Sequence, residues 1–145
     1  MPVDDDRPDL AAMVVPLGRS LVAAEEPVLR DHSLTMWGYI ALCGLDEAPL
    51  RTQAALAQAI GADKTRLIGV LDDLQERGFI RREPDPADRR VHLLSVTAKG
   101  RRVRDAARAG IRRREEELLA RLSPGDRRAF LRALRTLSRA ARAQP

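Results

Sequence analysis

The chain has 145 residues with Lys+Arg 26 against Asp+Glu 21, a net charge of +5, and is 44% hydrophobic but only 3% aromatic. That length suits one domain, or one small domain with an oligomerisation arm, and its core must be mostly Leu, Ala, Val and Ile. A single cysteine, Cys43, excludes an intrachain disulfide and leaves too few thiolates for a cysteine metal cluster.

No apolar run approaches the roughly 20 residues that span a bilayer. The start of the chain lacks a basic segment followed by an apolar one. The expectation is a soluble, cytoplasmic protein with no membrane partner and no cofactor. The basic excess lies from Lys64 onward and points toward a polyanionic partner without bearing on fold. Asp4, Asp5, Asp6 and Asp9 make the beginning acidic, and residues 1–9 read as a frayed tail.

From residue 10 to 33, Leu10, Met13, Val14, Leu17, Leu21 and Val28 recur at helical spacing. Pro16 and Pro27 each remove an N–H and crowd the preceding turn, which predicts a kink or two shorter helices. Ser33 or Thr35 is placed to cap a second helix carrying Trp37, Ile40, Ala41 and Leu42. Residues 44–49 read as its exit loop. Thr52 caps a third helix with Leu56, Ala57 and Ile60 inward, and Gly61 sits where positive φ is wanted.

Asp63 caps a fourth helix at once. Leu67, Val70, Leu71 and Leu74 give it a core stripe at i, i+3, i+4 and i+7, and Gly78 ends it. Two helices joined by so short a glycine-bearing turn form a helix-turn-helix. Residues 79–82 and 91–96 read as the strands of a hairpin, with Pro84 and Pro86 in the charged loop between them.

Thr97 caps a long fifth helix. It is crowded with Arg101, Arg102, Arg104, Arg108 and Arg112 to Arg114, then Glu115 to Glu117, and its apolar residues are sparse. Ser123, Pro124 and Asp126 supply a cap, a proline and an acid for the next helix start. Phe130, Leu134, Leu137 and Ala141 stripe that last helix. The terminal helices cannot bury their stripes in a small helix-turn-helix core. The expectation is a homodimer built from the first helix and the last two, with a monomeric bundle as the alternative.

The core stripe of the fourth helix leaves Lys64, Thr65, Arg66, Ile68 and Gly69 facing outward. N-terminal residues of a recognition helix reach base edges in a major groove. Arg66 suits a bidentate contact with guanine, and Thr65 a thymine methyl or a phosphate. Lys64 suits phosphate, which positions without specifying, and Gly69 allows close backbone approach. The alternative is an ordinary solvated helix face. The hairpin tip carries Arg89 and Arg90, and narrow minor grooves attract inserted arginine. Asp88 can pair with one guanidinium, and Pro84 and Pro86 stiffen the loop. Its alternative is a plain surface salt bridge, worth roughly 0–1 kcal/mol.

The runs Ile60-Gly61-Ala62-Asp63-Lys64-Thr65-Arg66, Leu71-Asp72-Asp73-Leu74-Gln75-Glu76-Arg77-Gly78-Phe79-Ile80-Arg81-Arg82, Asp85-Pro86-Ala87-Asp88-Arg89-Arg90 and Val96-Thr97-Ala98-Lys99-Gly100 resemble the MarR family of bacterial transcriptional regulators. The resemblance spans essentially the whole chain. It implies a mainly α fold with a small β-hairpin wing: a winged helix-turn-helix in a triangular homodimer on a palindromic operator in double-stranded DNA. Residues 10–33 and 101–145 would then be dimerisation helices, and residues 34–100 the DNA-binding domain. The candidate DNA-contacting set is Thr52, Gln53, Asp63, Lys64, Thr65, Arg66, Gly69, Arg82, Asp88, Arg89 and Arg90. Such proteins are most often repressors, released by small aromatic or phenolic ligands or by oxidation.

The family's ligand pocket lies where dimer helices meet the DNA-binding lobe, which points here to His32, Met36, Trp37 and Tyr39. Trp37 would stack on a ring and His32 would hydrogen-bond its polar group. The alternative makes Trp37 and Tyr39 core residues and His32 a helix end. Cys43 is a candidate redox sensor, although the peroxide-sensing branch of the family carries its cysteine on the first helix. Cys43 also falls in an apolar run, where thiols are inert. A winged-helix protein–protein adaptor would not need arginines at the wing tip. An enzyme has no support, since His32 and His92 lie far apart without a neighbouring nucleophile or metal-ligand spacing.

Overall fold

Short polar side chains start the helices of this computed structural model, which describes residues 6–46 and 51–144. Each hydroxyl or carboxylate accepts a hydrogen bond from the N–H three residues ahead, satisfying a donor the helix cannot. Thr35 does so for Gly38 at 3.0 Å, Thr52 for Ala55 at 3.1 Å and Asp63 for Arg66 at 2.8 Å. Thr97 caps Gly100 at 3.0 Å and Ser123 caps Asp126 at 3.1 Å. The elements are α1 (Leu10–Asp31), which has no such cap, α2 (Met36–Asp46), β1 (Arg51–Thr52), α3 (Gln53–Ile60), α4 (Lys64–Glu76), β2 (Ile80–Pro84), β3 (His92–Val96), α5 (Ala98–Leu119) and α6 (Pro124–Ala143). Gly61 and Gly78 end α3 and α4 at φ 71° and 76°, conformations that cost glycine little.

Three expectations need correction. The helix α1 is one unbroken segment of 22 residues through Pro16 and Pro27, not two shorter pieces. Both prolines are exposed, so water can take the carbonyl each leaves without its partner. The second helix does not end at Gly44. It runs to Asp46, because the buried stripe Ala41, Leu42 and Leu45 continues. Gly44 is a packing site instead: an added Cβ would lie 2.7 Å from Ile60 Cγ2 and 3.0 Å from Leu56 Cδ1. The rest of that expected loop, residues 47–49, lies outside the described residues, as does most of the expected tail. The third is β1, which the sequence does not announce, since two residues cannot show alternation. It pairs antiparallel with β3, Arg51 opposite Leu94 and Thr52 opposite Leu93.

The sheet order is β1-β3-β2. In the hairpin Ile80 faces Val96, Arg82 faces Leu94 and Pro84 faces His92. Leu29, Leu42, Leu45, Leu56, Leu67, Leu71, Leu74 and Leu94 are wholly buried, the leucine-rich interior that a chain so poor in aromatics must build. Arg104 is also buried, at 4% exposure, with its guanidinium 2.6 Å from Asp46 and 2.8 Å from Asp105. The pairing with Arg104 holds the Asp46 carboxyl below the usual range.

The chain divides into two units, Met1–Ile111 and Arg112–Pro145. In the second, Glu116 takes a bidentate pair from Arg127, with one arm at 2.6 Å, and α6 has no buried residue. Among the described residues no helix is long and apolar enough to cross a membrane, and no cluster of His, Cys, Asp or Glu could hold a metal ion.

Candidate nucleic-acid interface

Burial of Leu67, Leu71 and Leu74 fixes the rotation of α4 about its axis. Lys64, Thr65, Arg66, Ile68 and Gly69 are therefore exposed, as the stripe predicts. A Cβ added at Gly69 would meet nothing within 4 Å, so no packing within the protein demands glycine there. The guanidinium of Arg66 lies over the Trp37 ring, 5.5 Å from its centroid. Thr52 and Asp63 each use a side-chain oxygen for capping, and Gln53 is half-buried at the start of α3.

The wing is organised by its own aspartates. Asp85 N–H donates to Val91 O at 2.8 Å, and Val91 N–H to Asp88 O at 2.9 Å. Asp85 Oδ1 accepts from Ala87 N–H at 2.9 Å. Asp88 Oδ1 accepts from the Arg90 N–H at 3.1 Å and from Arg90 Nε at 3.2 Å. The side-chain and backbone hydrogen bonds from Arg90 hold the Asp88 carboxyl below the usual carboxylate range. Arg90 is thus the tethered member of the pair, its side chain still 91% exposed. Arg89 is exposed beside it and has no ion-pair or hydrogen-bond partner among the described residues.

Arg82 sits differently from the other members of the candidate set. Its guanidinium is 2.8 Å from Asp72 of α4, and its Nε and Nη2 are buried without partners. That pair ties β2 to α4, so Arg82 bridges the hairpin and the helix rather than standing free. His92 is exposed at the start of β3.

The four residues of the expected ligand site do not share one neighbourhood. Trp37 and Tyr39 lie about 200° apart around α2, at 100° per residue. Trp37 faces Arg66 on α4, whereas Tyr39 faces Arg108 on α5. His32 ends α1 and Met36 packs against the core. Arg108 is the functional-looking residue that sequence reasoning missed. Its Nη2 donates to Cys43 Sγ at 3.4 Å, so Cys43 is not in a purely apolar setting. Burial raises the Tyr39 phenol, partly offset by its hydrogen bond with Arg108. Hydrogen bonds with Cys43 and Tyr39 in turn raise Arg108 above its usual value. One arginine among many in α5 gave no signal of this.

Helix order, a hairpin after the second helix of a helix-turn-helix, and an exposed first turn on α4 define a winged helix-turn-helix. The sequence model of the MarR family matches residues 34–92. The chain is also 31% identical over 107 residues to the HTH-type transcriptional repressor NicR of Pseudomonas putida, spanning 74% of this chain and 68% of that one. This chain belongs to the MarR family. Transcriptional regulator HosA of Escherichia coli O111:H- is 33% identical over 107 residues, covering 74% of this chain and 79% of HosA. The repressor CouR, solved on a 23-mer DNA duplex, superposes with a TM-score of 0.80 at 28% identity, over 90% of this chain and 92% of CouR. CouR from Rhodococcus jostii RHA1 bound to p-coumaroyl-CoA superposes at 0.81 with 25% identity, over 94% of each chain. The protein is accordingly a MarR-family transcriptional regulator.

Proposed function

We propose that this MarR-family regulator is a homodimeric repressor that grips a palindromic operator with two tools per protomer. The first turn of α4 enters the major groove, with Arg66 reading a base and Lys64 and Thr65 on phosphate. The wing lays Arg89 and Arg90 in the adjacent minor groove. The observation that carries the reading is the wing tip, where Asp88 orients Arg90 while Arg89 stands free. The DNA complex of CouR, a protein of the same fold, supports it. Residues 34–100 would be the DNA-binding domain. The helices of 10–33 and 101–145 would supply the dimer contact, which their exposed Leu10, Val14, Val22, Leu134 and Leu137 favour.

Release would come from a small aromatic ligand against the Tyr39 side of α2 rather than at all four of His32, Met36, Trp37 and Tyr39, since Trp37 faces away from Tyr39. Arg108 adds a half-buried cation whose hydrogen-bond partners are a phenol and a thiol, which suits an acidic substituent on such a ring. CouR, with its aromatic acyl thioester, supports that class. A second reading, oxidation at Cys43, draws on the guanidinium 3.4 Å from its sulfur. Thiol labelling of the native protein separates the two, since a thiol that labels only in denaturant is no sensor.

The test of the main reading is a gel shift against the gene's own upstream region across a salt series. For about 6–10 phosphate contacts, affinity falls roughly 10³–10⁵-fold between 50 and 200 mM salt. A monomer with no affinity for duplex in dilute buffer would overturn the proposal.

A further inference from the structure

Arg66 has one side-chain anchor, and it is a ring on another helix. Its backbone N–H is committed to Asp63, but among the described residues its guanidinium has no ion pair or hydrogen bond. What it has is the Trp37 face at 5.5 Å, within cation–π range. Trp37 is half-buried on α2, so the packing of α2 against α4 presents the ring to the first turn of α4. Arg82 and Arg90 are held by the carboxylates of Asp72 and Asp88, whereas Arg66 is not held by any carboxylate.

The difference matters chemically. A carboxylate engages the in-plane N–H groups of a guanidinium, the same groups that read guanine O6 and N7. An indole face engages the π surface and leaves the in-plane donors free. We propose that Trp37 is a positioning residue for base readout: its ring holds the Arg66 guanidinium in place at the head of α4 with its hydrogen-bonding edge unspent. The side chain then loses less rotamer freedom when it meets a base, which is preorganisation. This inference rests on the DNA-binding reading above and adds a residue from outside the helix-turn-helix to the specificity apparatus. An aromatic molecule that took the Trp37 face would displace Arg66 from it.

The experiment uses the purified full-length protein and a duplex that it selects from a random-sequence library. Binding is measured to that duplex, to single-base-pair variants of it and to an unselected duplex. Arg66→Ala should lose about 5- to 150-fold of discrimination at one position, the range for a bidentate arginine–guanine contact. Trp37→Leu should lose about 2- to 5-fold at the same position, the range for an exposed cation–π contact, with unselected binding unchanged. Trp37→Phe, which keeps a flat face, should retain most of it. In the Arg66→Ala background Trp37→Leu should change nothing further, which a merely structural role would not produce. Trp37 is the chain's single tryptophan, so wild-type fluorescence should also differ from that of Arg66→Ala in the free protein. Undiminished discrimination in Trp37→Leu, or an equal loss with and without Arg66, overturns the inference while leaving DNA binding standing. A wild-type protein that selects no duplex at all sinks the DNA-binding reading and this inference with it.

Discussion

The two basic prongs of this molecule are built on opposite principles. The first turn of α4 is aimed by what lies beneath and beside it: a buried leucine stripe sets the helix rotation, and a ring from α2 supports Arg66. The tip of the wing is aimed from within, by short-range hydrogen bonds centred on Asp85 and Asp88. A prong set by the core is as rigid as the core. A prong set by its own loop, on strands anchored elsewhere, can be edited without unfolding anything. On the proposed function, the contrast would suit a division of labour in which the core-set element reads bases and the exposed one follows groove shape.

The largest effect should come from emptying the wing. Arg89→Ala with Arg90→Ala should abolish specific operator binding and flatten the salt dependence of the residual binding by about one contact per arginine removed, while thermal melting stays at the wild-type value. Wild-type binding by the double variant would end the role given to the hairpin. On the core-aimed side, Leu71→Ala should cost about 2–5 kcal/mol of stability, because its side chain is wholly buried. Denaturant unfolding measures this directly, and binding should fall with the folded fraction. Arg66→Ala should cost about 1–3 kcal/mol of binding and relax preference at a single base pair, without the general loss that the wing variant shows.

The smallest effect belongs to Asp88→Asn, which frees Arg90 but removes no cation. The Asp88 carboxyl is depressed below its usual range. Its contribution is therefore complete above the ordinary carboxylate pKa of about 4 and is lost only as pH falls through the depressed value. Operator affinity measured from pH 5 to 7.5 should show no step from this residue. A step in that window that disappears in Asp88→Asn would contradict the assignment.

The legible part of the fold was whatever local chemistry dictates. Thr52, Asp63, Thr97 and Ser123 announce helix starts because a cap is a three-residue event, and Gly61 and Gly78 announce ends. The α4 stripe identified its outward face, and the Asp88-Arg89-Arg90 tip carried the family resemblance. The misses were tertiary. Arg108 meets Cys43 across 65 positions, and Arg82 finds Asp72 on a different element. Trp37 and Tyr39 looked like one aromatic cluster because they are near in sequence, yet a helix sends them to different neighbours. Of the two outcomes that Pro16 and Pro27 allowed, two shorter helices is the one excluded: whether a proline breaks a helix depends on what surrounds the orphaned carbonyl, which a string of letters does not display.

The root of the hairpin has an engineering implication. Thr97 Oγ1 donates to Gly78 O at 2.6 Å, Thr97 N–H to Phe79 O at 3.0 Å and Lys99 Nζ to Arg77 O at 3.1 Å. Gly100 comes so near that a methyl there would overlap the Phe79 carbonyl at 2.1 Å. The opening turn of α5 is thereby welded to the stem of the prong. Loops of other sequence exchanged between Pro84 and His92 should leave the strands of the hairpin anchored, though without Asp85 and Asp88 to aim the tip, whereas a single methyl group at position 100 should displace the strands themselves.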